Sequence, residues 1–178
     1  LNAESVNHGR FLRALAAALE KLPGLRDLRV VVDPEEICLR KAEWHHEFWR
    51  QQEQEASTWH LPSLTSLVIE ASCRGDSLPS WSLPKIATRG TLTNLQLHNV
   101  ASPTHLRALL ADNAASLTEL TLYALARPQA CFPAELWTHG VPACSQLRSL
   151  DIPPPGDERL RAAFLLALRG LRQLRSLQ

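Results

Sequence analysis

The chain has 178 residues, 45% of them hydrophobic and 21% charged, and a formal net charge of +1. That length can bury a real core, and the composition is that of an ordinary globular domain. The near-neutral charge excludes the Lys and Arg excess of a nucleic-acid binder or a polybasic membrane-surface protein. The longest apolar stretch, Ala162 to Leu168, falls far short of the roughly 20 residues a membrane span needs.

In chain order, the first predicted element is a helix whose apolar face carries Phe11, Leu15, Leu19 and Leu22. A short strand follows on Leu25-Arg26-Asp27-Leu28, continued by Val30. Next, Asp33-Pro34-Glu35-Glu36 is a helix start, with Asp as cap and Glu at the third helical position. It predicts an insertion helix over about 34–56, with Ile37, Trp44 and Phe48 on one face. This helix is expected to cover a neighbouring repeat.

A second strand is predicted on Leu64 to Leu67 and Ile69, and a third on Leu92 to Leu95 and Leu97. Between them, 77–90 is rich in Pro and small residues and predicts a turn with a short helical piece. Ser102-Pro103 then opens a helix, Ser as cap and Pro at the first helical position, with Leu106, Leu109, Leu110 and Ala114 at helical spacing. A strand follows on Leu117 to Leu120 and Leu122. The Pro-rich stretch 126–143 again predicts a turn and a short helical piece. Strands on Leu147 to Leu150 and Leu174 to Leu177 flank a last helix, whose face is Leu160, Phe164, Leu168 and Leu171.

These strands are one motif repeated six times: Leu, then Thr or Arg, any residue, then Leu. The second leucines are 39, 28, 25, 30 and 27 residues apart. Four of those gaps lie close to the roughly 20–29 residues of a leucine-rich repeat. Alternation with period two puts the leucines on one side of each strand and buries them. Leu22, Leu61 and Leu171 stand three places before the motif and are expected to point into the same interior.

The pattern resembles the leucine-rich-repeat superfamily, specifically the ribonuclease-inhibitor-like horseshoes with a helix in each repeat. Its irregular spacing is similar to that of the repeat regions of F-box proteins. The resemblance covers roughly residues 9 to 178 and implies an α/β solenoid. About six irregular repeats would form a right-handed horseshoe, with parallel strands on the concave side and helices outside. Residues 1–178 are thus expected to be one repeat domain. The chain lacks Met and stops at Gln178 inside a sixth motif, so an excerpt of a longer protein is expected. The sequence departs from the family at the Asn or Cys that follows each strand. Here those positions are Asp33, Ser72, Val100, Leu125 and Pro155, so no side-chain ladder is expected along that turn.

Other patterns carry little. Cys38, Cys73, Cys131 and Cys144 form no C-x-x-C pair, which excludes a zinc or disulfide framework of the usual spacing. With no signal-peptide pattern and no N-x-[ST] acceptor, an intracellular setting, cytoplasmic or nuclear, is expected. His45 and His46 are adjacent and about 100° apart on a helix, so they cannot share an ion with His60. Arg74-Gly75-Asp76 reads as an ordinary turn. Cys131 to Leu136 resembles the opening of an F-box, but no three-helix domain fits between the flanking strands. No phosphate loop, dinucleotide glycine pattern or nucleophile elbow occurs, so neither an enzyme nor a cofactor is expected.

The residues flanking the buried leucines form three columns on the opposite sheet face. They read Asp27, Ser66, Asn94, Glu119, Ser149, Ser176; then Arg29, Val68, Gln96, Thr121, Asp151, Gln178; then Val31, Glu70, His98, Tyr123, Pro153. Solenoids use such a face for partners. The expected partner-binding residues are Arg29, Glu70, Asn94, Gln96, His98, Glu119, Thr121, Tyr123 and Asp151, with Arg29 and Tyr123 as anchors. The mixture of charges points to a protein partner, not nucleic acid or membrane. By resemblance, the chain is the substrate-recognition part of an F-box-type ubiquitin-ligase adaptor, with a Skp-type adaptor bound outside this stretch. A second expectation is a regulatory repeat region attached to an enzyme or nucleotide-binding switch domain.

Overall fold

The computed structural model describes residues 13–32, 58–71, 81–98, 100–101, 103–123, 136–153, 155 and 157–178. The predicted insertion helix, His45 and His46, the Arg74-Gly75-Asp76 turn and Cys131 lie outside these residues.

Helix α1 (residues 13–19) leads into β1 (Asp27–Val32). The further strands are β2 (Trp59–His60), β3 (Ser66–Ala71), β4 (Trp81–Ser82), β5 (Ile86–Ala87), β6 (Asn94–His98) and β7 (Val100–Ala101). Helix α2 (Pro103–Asp112) and β8 (Glu119–Tyr123) follow. A π-helical turn (Leu136–Gly140) runs into the short α3 (Val141–Ala143), then β9 (Ser149–Asp151), α4 (Glu158–Gly170) and β10 (Ser176–Leu177).

The chain is α/β, and its centre is a six-stranded parallel sheet in the order β1-β3-β6-β8-β9-β10. Each strand lies beside the next motif in sequence. The register aligns Leu28 with Leu67, Leu95, Leu120, Leu150 and Leu177 in turn. Period-two alternation explains the result: the inner strands bury every second residue, as in β6 and β9. Leu67, Ile69, Leu95, Leu97, Leu120, Leu122, Leu150 and Ile152 join the helices' Leu106, Leu109, Leu110, Trp137 and Phe164 in one dry cluster. The helices therefore cover the leucine side of the sheet.

Helix α4 is the best-marked helix. Asp157 caps it, its side chain accepting from the Arg159 N–H at 2.8 Å, with Glu158 in the first turn and Arg169 in the last. Phe164 and Ala167 are buried on its inner face, Leu171 is buried just past its end, and Phe164 meets Trp137 edge-on, with ring centroids 5.0 Å apart.

Three features differ from expectation. First, within 77–90 the described residues form extended pieces, not a helical one. β5 pairs with β2, and β4 pairs with β7, both parallel. Pro84 explains this, because a proline lacks the amide proton a helix needs and drives the preceding Leu83 toward extended backbone. Second, Val100, standing where the family has Asn or Cys, lies in β7 opposite Trp81. Third, Leu22 is 51% exposed, whereas its counterparts Leu61 and Leu171 are buried. It belongs to the layer of strand β1, which among the described residues has a neighbour on one side only. Leu177, on β10 at the other end of that order, is likewise 51% exposed.

A hydroxyl ladder fastens each strand entry to the one before it. The carbonyl of Arg26 accepts from the amides of Thr65 and Ser66 and from the Thr65 hydroxyl at 3.0 Å. The carbonyl of Thr65 takes the same three groups from Thr93 and Asn94, and that of Thr93 takes them from Thr118 and Glu119. At the next two steps, Arg148 and Arg175 keep the paired amides alone. One position before each motif, Thr91 Oγ1 donates to the Leu64 carbonyl and Ser116 Oγ to the Leu92 carbonyl, both at 2.7 Å. A side-chain ladder thus exists, at the start of the strands rather than after them.

Candidate interaction face of the sheet

The sheet face opposite the leucines is built by the same alternation that builds the core. Its first column aligns Asp27, Ser66, Asn94, Glu119, Ser149 and Ser176; its second aligns Arg29, Val68, Gln96, Thr121 and Asp151; its third aligns Val31, Glu70, His98 and Tyr123. Gln178 lies just past β10, where its amide donates to the Leu150 carbonyl. All nine expected partner-binding residues therefore stand on one face. Parallel sheets are normally covered on both faces. Here the second face is polar and partly or fully open along β3, β6, β8 and β9.

The nine residues are not independent. Arg29 Nη2 contacts both carboxylate oxygens of Glu70, at 3.0 and 3.1 Å. The Arg29 side chain is still 67% exposed, so the pair is worth at most about 1 kcal/mol. Gln96 Nε2 donates to Asn94 Oδ1 at 3.3 Å, along the same strand. The rings of His98 and Tyr123 lie 6.2 Å apart, tilted by 41°, and Tyr123 is 46% exposed.

Around Thr121 the columns assemble a compact patch. Gln96 lies opposite it on β6 and Asp151 opposite it on β9. Glu119 and Tyr123 flank it two residues away on β8, so each stands diagonally from Asp151, roughly 8 Å off by strand spacing. Among the described residues, Glu119, Asp151 and Asp27 take part in no ion pair.

The arrangement offers planar hydrogen-bonding groups, carboxylates and a half-buried His98 beside the exposed Tyr123, on a backbone held by sheet pairing. Among the described residues, no group of three or more His, Cys, Asp or Glu side chains is disposed to hold a metal ion. Among them, too, no helix is long and apolar enough to cross a membrane. Cys144 is buried, its Sγ donates to the Gly140 carbonyl at 3.5 Å, and burial pushes its thiol up to about 11. Such a thiol is a packing group rather than a nucleophile.

Sequence reasoning missed one residue that shapes this face from behind. Asn113, just past α2, is 1% exposed. Its Nδ2 donates to the Leu109 carbonyl at 2.8 Å, and its Oδ1 accepts from the Leu92 amide at 3.1 Å and the Thr88 hydroxyl at 2.9 Å. Its own carbonyl accepts from Ser116 and Leu117. It thereby locks the entries of β6 and β8 together. A lone Asn after a helix reads as an ordinary end signal, and nothing in the sequence marks this one as a bridge. No family model, curated protein or solved structure matches the chain.

Proposed function

We propose that the chain is a run of leucine-rich repeats serving as a non-catalytic protein-interaction module, with its polar sheet face as the concave surface that receives a partner. The observation that carries this reading is the strand-for-strand register, which aligns Leu28, Leu67, Leu95, Leu120, Leu150 and Leu177 on one side and chemically varied columns on the other. A sheet face left open, beside one fully packed, is the geometry that repeat proteins use for recognition. The resemblance to F-box repeat regions supports an intracellular role as the substrate-recognition part of a ubiquitin-ligase adaptor.

The test is site-specific photo-crosslinking. A photoreactive residue at Gln96 or Thr121 should capture a partner that one at Arg107 or Arg169, exposed on the helices, does not. The captured protein, once purified, should bind Arg29→Ala plus Tyr123→Ala at least about tenfold more weakly, the loss of roughly 1.4 kcal/mol. Equal binding to the double variant overturns the site. The ubiquitin-ligase reading requires the full-length protein to co-purify with a Skp-type adaptor, and failure to do so ends that part.

A further inference from the structure

We draw no further inference here: the strongest candidate, the exposed leucine pair Leu165 and Leu166 on helix α4, flanked by Arg161 and Arg169, is an unpartnered apolar patch, and nothing in the structure shows what covers it.

Discussion

Asn113 shows how one side chain can hold two strand entries in place. Its amide satisfies a buried amide N–H, a buried helix-end carbonyl and the part-buried Thr88 hydroxyl. Asn113→Ala strands the Leu92 amide and the Leu109 carbonyl, and buried orphans cost about 1–3 kcal/mol each when water cannot reach them. We expect a loss of about 3 kcal/mol in the unfolding free energy by urea titration. Asn113→Asp should rescue only part of it, because a carboxylate accepts from Leu92 and Thr88 but cannot donate to Leu109.

Gly90 is held at φ 70°, and a Cβ there would lie 3.2 Å from the Asp112 carbonyl oxygen. Gly90→Ala should therefore cost about 1–2 kcal/mol in the same assay. Cys144 yields a pH dependence. Burial raises its thiol from 9.0 to about 11, so the fold favours the neutral form. Its contribution is complete below pH 9 and is lost as pH climbs through about 11. The stability gap between the wild type and Cys144→Ala should narrow across that window, and a gap unchanged up to pH 11 would contradict the burial seen here.

For the elements, the threonine ladder accounts for a feature of the motif that period alone leaves unexplained. The position between the two leucines needs no particular residue to form a strand. It holds Thr at 65, 93 and 118 because each hydroxyl adds a third hydrogen bond to the carbonyl one strand back. Replacing all three by Val keeps the strand propensity and removes only the hydroxyls. These carbonyls retain two amide donors each, so the expected cost is roughly 0.5 kcal/mol per site, and because the three threonines are linked directly to one another the triple variant need not equal the sum of the singles. A triple variant as stable as the wild type would show the ladder to be ornamental.

The same scale marks where sequence reasoning stops. Strand register and the composition of both sheet faces were legible, because a period of two leaves no freedom once the leucines are buried. Helix α4 was legible from its apolar face, while its Asp157 cap emerged only in the structure. The small pairs β2 with β5 and β4 with β7 were not. Each spans two residues, too short for periodicity to register, and depends on a segment many positions away. The Arg29–Glu70 pair escaped for a related reason. The columns fix which residues share a face, but only side-chain geometry shows that two diagonal neighbours have paired.

At the scale of the whole molecule, the described residues form a line of six sheet layers, and in this 178-residue chain protection should follow position in that line. Leu67, Leu95, Leu120 and Leu150 lie between neighbours on both sides and are essentially fully buried. Leu28 and Leu177 occupy the same motif position on edge strands and are half-buried and exposed respectively. A leucine enclosed on all sides loses about 2–5 kcal/mol on truncation to alanine, from transfer plus the cavity left behind. Leu95→Ala should fall in that range, whereas Leu177→Ala, with half its surface already in water, should cost at most about 1 kcal/mol. Native-state hydrogen exchange should give the same ordering without mutation. Amides of β6 and β8 should exchange slowest, near the global unfolding limit, and those of β1 and β10 fastest, through local opening from the ends. Uniform protection across all six strands would mean that the layers unfold as one block, and the stabilising contacts would then have to run the length of the sheet rather than between neighbours.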